Sequence, residues 1–156
     1  MRKSILFIPL LFLALTINAQ EHKEFYDNGD IKVSGTKEKG IDTGEWKYYF
    51  ENGKISKEGN YVKGKLHGEW KYYHENGRLR IIGKYQKGLD TGEWKYYHDN
   101  GTLWAIGKYD NGKAIGEWKY YHKNGELSKV GSKENGKDIG EWEYYDENGK
   151  ATLKEN

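Results

Sequence analysis

The chain has no cysteine, one proline and one methionine in 156 residues. Without cysteine no disulfide framework can stabilise it, even in an oxidising compartment. The single proline, Pro9, lies in the N-terminal segment and interrupts nothing beyond it. A charge excess of one sign is missing too. Removing Arg2 and Lys3, which belong to that segment, from the 26 basic residues leaves 24 against 24 acidic ones. A formally neutral chain offers no net field to nucleic acid or anionic lipid, so neither is expected as a partner.

The N-terminal segment itself stands apart. Arg2 and Lys3 precede an apolar run from Ile5 to Ile17, and Ile17-Asn18-Ala19 forms a small-residue cleavage site before Gln20. The run is shorter than the roughly 20 residues that span a bilayer. Residues 1–19 are therefore expected to be a cleaved signal peptide, with the product exported to the periplasm or beyond and no transmembrane segment in the mature chain. No cysteine near the cleavage site would take a lipid anchor.

What the chain has in excess is glycine and aromatic side chains. All 21 glycines fall into four columns of a 24-residue repeat, whose beat is marked by Trp46, Trp70, Trp94, Trp118 and Trp142. Such register defines a repeat array, each unit one supersecondary element stacked on its neighbours. The repeat domain spans residues 22–156, with units starting at 22, 46, 70, 94, 118 and 142. The first has His22 in place of tryptophan and the last stops early, so both read as caps.

Asn-Gly recurs in every unit, from Asn28-Gly29 to Asn148-Gly149, between aromatic and β-branched runs. This predicts a β-hairpin with a two-residue type I′ turn, positive φ falling at both residues. Counting back from Asn76-Gly77 pairs His74 with Leu79, Tyr72 with Ile81, and Trp70 with Gly83. One face then collects Trp70, Tyr72, Leu79, Ile81 and Tyr85, and the other Lys71, Tyr73, Glu75, Arg80, Ile82 and Lys84. A ring can shield the bare backbone of a glycine across the hairpin, which predicts Trp46 over Gly59, Trp70 over Gly83, Trp94 over Gly107 and Trp118 over Gly131. Gly88 and Gly92 are read as bracketing a return loop. Single hairpins are marginal in water, so the expected fold is all-β: an elongated, single-layer, twisted antiparallel meander.

The segment from Gly83 to Gly92 resembles the Gly-x-aromatic-x-x-Gly-x-x-x-Gly core of MORN repeats, and the match recurs from Gly59 and Gly107. It is weaker from Gly35 and Gly131, where Lys37 and Lys133 replace the aromatic residue. Trp94 and its equivalents stand where the standard repeat carries another glycine, which resembles the bacterial variant with its Gly-Glu-Trp and Asn-Gly-x-Leu signatures. The resemblance implies a hairpin ribbon used as a scaffold for protein contacts, credited with lipid contacts in some eukaryotic members. Many bacterial relatives carry an antitoxin-type label, which an exported product would not fit. The resemblance implies no catalytic residue.

Chemistry-bearing patterns are few. His74, His98 and His122 share a column, but their backbones should lie roughly 10 Å apart, too far for one zinc, whose ligand nitrogens sit about 2 Å from the ion. A solvated strand end is expected instead. Asp42, Asp90 and Asp138 recur only in alternate units, and the glutamates before each tryptophan form a spaced row rather than a catalytic pair. No metal, cofactor or enzymatic activity is expected. The clearest irregularity is Trp104, in a column otherwise held by Lys32, Ser56, Arg80, Ser128 and Thr152. By the pairing rule it faces Tyr97, with Tyr73 and Tyr121 beside it, and it reads either as a binding hot spot or as cover for a thin part of the sheet. The expected function is an exported scaffold binding another protein through its aromatic face. Cell-envelope carbohydrate binding is the alternative, and self-association is open to a ribbon with an uncovered face.

Overall fold

A computed structural model describes residues 19–152. Twelve strands form one antiparallel sheet in strict sequence order. They are β1 (Ala19–Phe25), β2 (Ile31–Glu38), β3 (Ile41–Tyr49), β4 (Ile55–Val62), β5 (Lys65–Tyr73), β6 (Leu79–Gln86), β7 (Leu89–Tyr97), β8 (Leu103–Asp110), β9 (Lys113–Tyr121), β10 (Leu127–Glu134), β11 (Lys137–Tyr145) and β12 (Ala151–Thr152). The all-β meander of 24-residue hairpins is as the repeat requires. The expected leader lies outside the described residues except for Ala19, which opens β1.

The two turns of each unit are not those expected. At Asn76-Gly77 only the glycine has positive φ, 90°. The Gly77 N–H donates to the His74 carbonyl at 2.8 Å, and the His74 N–H to the Arg78 carbonyl at 2.9 Å. That is a three-residue loop, an ordinary turn closed by a left-handed glycine. Asparagine is there for its side chain. Its Oδ1 accepts the Arg78 N–H at 2.9 Å, and its Nδ2 donates to the carbonyl of Asp99 in the next unit at 2.8 Å. The type I′ turn sits at the other end, where Lys87 (φ 54°) and Gly88 (φ 87°) join the directly paired Gln86 and Leu89. No loop returns the chain, and Gly92 lies inside β7.

The three-residue turn displaces the register near it. Tyr73, rather than His74, faces Leu79; β6 then skips Arg80, so that Tyr72 faces Ile81 and Trp70 faces Gly83 as expected. The skipped position is a β-bulge, repeated at Lys32, Ser56, Trp104 and Ser128. Leu79 thereby leaves the aromatic face for the side of Tyr73.

A second bulge redirects the tryptophans. Between the pairs Ile82–Lys95 and Lys84–Thr91, the single residue Gly83 faces Gly92, Glu93 and Trp94. Gly92 takes φ 68° there, and the Trp94 indole lies flat over Gly83 of the preceding unit. A Cβ at Gly83 would collide with the indole, as would one at Gly35 with Trp46, Gly59 with Trp70, Gly107 with Trp118 and Gly131 with Trp142. The backbone pairing was right, but each ring covers the glycine of the other neighbouring strand. Bulges re-aim side chains in this way.

These rings are the core of a one-layer protein. Trp70 is fully buried, and Trp46, Trp94 and Trp118 nearly so. Around Trp94, Tyr85 and Tyr109 stand edge-on at 5.1 and 5.7 Å between ring centroids, and Tyr96 stacks at 6.3 Å. Tyrosine hydroxyls pair over the indoles: Tyr48 with Tyr61 at 3.1 Å, Tyr72 with Tyr85 at 2.9 Å, and Tyr96 with Tyr109 at 3.1 Å. Offset and edge-on contacts are the favoured aromatic geometries.

A candidate interaction surface

Trp104 breaks the order of this face. It is the bulge residue of β8 and pairs with no residue of β7, where Tyr97 faces Leu103. A bulge residue turns toward the side of its successor, so the indole lands on the tryptophan face and not beside Tyr97, Tyr73 and Tyr121. Its ring stands edge-on to Tyr96 at 6.0 Å and to Tyr120 at 6.1 Å, with His98 at 6.5 Å. The adjoining Ala105 is buried, where Val33, Lys57, Ile81 and Lys129 hold the same column. The large ring thus covers the smallest residue of that column, yet 45% of Trp104 stays exposed.

Tyr73, Tyr97 and Tyr121 belong to the opposite face. The Tyr73 hydroxyl donates to Glu58 Oε1 at 2.6 Å, and burial together with that bond pushes its pKa up to about 12. Tyr121 borders a shallow cleft floored by Ile106 and the bare backbone of Gly107, with Glu93 and Glu117 on its rims. The same cleft recurs one repeat earlier over Ile82 and Gly83 between Glu69 and Glu93. The sequence reading missed these clefts. Their signal was the glycine column itself, since a glycine capped on one face leaves a hollow on the other.

The histidine column is not a solvated strand end. His74, His98 and His122 are half-buried, and each places Nε2 at 2.9–3.0 Å from the carbonyl of a tyrosine in the next unit, Tyr97, Tyr121 and Tyr145 respectively. A carbonyl only accepts, so Nε2 carries a proton in all three. Tyr26 makes the equivalent bond to the Tyr49 carbonyl at 2.6 Å. In the last unit Asp146 instead accepts N–H bonds from Asn148 and Lys150. Among the described residues no three metal-ligating side chains converge.

Cations also lie on the aromatic face. Lys57 Nζ sits 3.9 Å from the centre of the Tyr48 ring, and Lys129 Nζ 4.4 Å from that of Tyr120. Burial lowers the Lys57 pKa and raises those of Tyr72, Tyr85, Tyr96 and Tyr120. The face is a half-buried aromatic floor with a few placed charges.

A search among curated proteins returned no match. The family described as MORN repeat variant matches residues 42–63, 66–87, 90–111, 115–132 and 139–151, well over half of the chain. Those segments hold all five repeat tryptophans, five of the Asn-Gly turns and the indole-capped Gly59, Gly83, Gly107 and Gly131, and the chain belongs to the MORN repeat variant family.

Proposed function

We propose that the chain is an exported, non-enzymatic scaffold that docks another protein on its aromatic face, with Trp104 at the centre of the contact. The observation that carries this is the exposure of Trp104 in an array where Trp46, Trp70, Trp94 and Trp118 are buried. Its indole is held edge-on by Tyr96 and Tyr120, so little side-chain entropy is lost when a partner covers it. Rigid aromatic anchors of this kind dominate binding energy at interfaces. On this reading the residues beside the anchor are Tyr96, Tyr120 and His98, with Tyr73, Tyr97 and Tyr121 on the opposite face.

Support for export comes from the basic start, apolar run and small-residue site of residues 1–19. Mass spectrometry of the mature protein should find Gln20 at its N-terminus, and an intact Met1 would end the export reading. For docking, the mature chain and Trp104→Ala are used as baits on envelope extracts, with bound protein and bound glycan identified separately. The proposal expects a specific protein that is lost with Trp104→Ala and retained with Tyr97→Ala. Retention by Trp104→Ala, or capture of glycan alone, would overturn it, and the second result would favour the carbohydrate reading.

A further inference from the structure

Three aspartates share one column of the repeat, and two of them are answered. Asp42 faces Lys37 and Asp138 faces Lys133 across the sheet. Lys37 Nζ lies 3.2 Å from Asp42 Oδ1 and 5.6 Å from the centre of the Trp46 ring. Lys133 bonds to Asp138 and lies 5.9 Å from the Trp118 ring and 5.3 Å from that of Trp142. In both of these units an ammonium is held between a carboxylate and the indole floor.

The third aspartate has Tyr85 where the other two have lysine. Asp90 faces Tyr85, whose ring stands edge-on to both Trp70 and Trp94. Its neighbours in the column are Leu66 and Ala114, which carry no charge. Among the described residues Asp90 makes no ion pair, and the Tyr85 hydroxyl and its own backbone N–H are the groups that favour its charged form. Half-burial raises its pKa, consistent with a carboxylate short of compensation.

We propose that Asp90, beside Tyr85 and with Tyr72 bonded to the Tyr85 hydroxyl, receives an external ammonium or guanidinium group, such as a lysine or arginine side chain of a docked protein, in place of the cation that Lys37 and Lys133 supply from the column position Tyr85 holds. A carboxylate over an aromatic floor recognises such a cation by charge and by the ring faces together. The site lies toward the Lys87-Gly88 end of β7, whereas Trp104 lies toward the Asn100-Gly101 end of β8, so it stands without the Trp104 contact. It also deepens the docking reading, since a partner spanning both would present a cation to one and an apolar group to the other.

The test is a nuclear magnetic resonance titration of the mature chain with n-butylammonium chloride, then N-methylguanidinium chloride, against sodium chloride of equal ionic strength. Saturable amide shifts at Tyr72, Tyr85 and Asp90, with an affinity of about millimolar order, are expected from one or both organic cations and not from sodium. Tyr85→Lys builds the Lys37 arrangement into the third unit and should weaken binding at least about tenfold, as should Asp90→Asn. Asp42→Asn and Trp104→Ala should leave it unchanged. The proposal fails if neither organic cation gives saturable shifts, or if the shifts survive both Tyr85→Lys and Asp90→Asn in chains whose amide spectra remain dispersed. It fails equally if Asp42→Asn abolishes them as completely. Because Trp104→Ala is silent in this titration, failure here and failure of the docking proposal are separate results.

Discussion

The two faces of this sheet are built from the same strands and do opposite things. On one, indoles lie against bare glycine backbone, tyrosine rings wall them in, and hydroxyls pair above. On the other, Glu45, Glu69, Glu93 and Glu117 each meet the lysine two residues on along their own strand, as Glu93 with Lys95 at 3.1 Å and Glu117 with Lys119 at 2.9 Å. The first arrangement removes large apolar surfaces from water and locks neighbouring units together. The glutamate–lysine pairs link no unit to the next, because both partners sit on one strand; a side-chain bond across units on this face is that of Tyr73 to Glu58. Cohesion of the array is therefore expected to reside almost wholly on the aromatic face.

The most severe break is at the glycine–indole contact. Trp94→Ala should cost about 3–5 kcal/mol, the usual range for emptying a buried tryptophan site. Gly83→Ala should cost roughly 1–3 kcal/mol by overpacking, since its Cβ would enter the Trp94 ring. The double variant separates the two neighbouring tryptophans. Trp94→Ala should relieve Gly83→Ala, so that the pair costs clearly less than the sum. Trp70→Ala, although Trp70 is the backbone partner of Gly83, should give no such relief. Denaturant midpoints of the three single and two double variants decide it.

That experiment also marks where sequence stopped being sufficient. The period, the hairpins and the Trp70–Gly83 pairing are local consequences of spacing, and all are present. The ring's destination is set by a bulge at Gly92, which depends on how β7 meets β6 and leaves no trace in the alternation of a single strand. The face of Trp104 is hidden for a like reason: a two-residue turn at Asn100-Gly101 would leave no skip in β8, and the three-residue turn creates one at Trp104. The role of Asn76 in turn rests on the carbonyl of Asp99, 23 residues away, which hairpin statistics do not contain. Asp90 could be seen in its column, but that it alone faces a tyrosine emerged only with the register.

Alkaline pH should weaken the aromatic face as a unit. Tyr72, Tyr85, Tyr96 and Tyr120 all have pKa values raised above the usual 10, with burial the largest cause. A raised folded value means the native chain keeps protons that the unfolded chain releases. Their contribution is complete below pH 10 and is lost as pH climbs past it, because the unfolded state then binds fewer protons. Tyrosinate absorbance followed alongside circular dichroism should show these residues ionising together with unfolding. Smooth ionisation of every tyrosine near pH 10 in a chain that remains folded would show the face to be open to water.

A smaller effect is expected where one unit is tied to the next by a single bond. His98→Phe removes the Nε2 donor to the Tyr121 carbonyl while keeping a ring, as Phe50 does in the same column. The loss should be about 1 kcal/mol, the net worth of one hydrogen bond. A cost several times larger would mean that the histidine column, rather than the indole spine, carries the coupling between units.

The smallest effect belongs to the opposite face. Lys95 is exposed and pairs with Glu93 on its own strand; that pair raises the Lys95 pKa through hydrogen bonding and charge. An exposed pair of this kind gains little over two hydrated ions and loses side-chain freedom in forming. Lys95→Ala should leave the denaturant midpoint unchanged, and added salt should not separate it from the parent chain, since there is no appreciable attraction to screen. A salt-dependent loss of stability in Lys95→Ala would mean that the charged face contributes to cohesion after all. Its rows of glutamate and lysine would then be a second fastening of the array instead of its hydrated back.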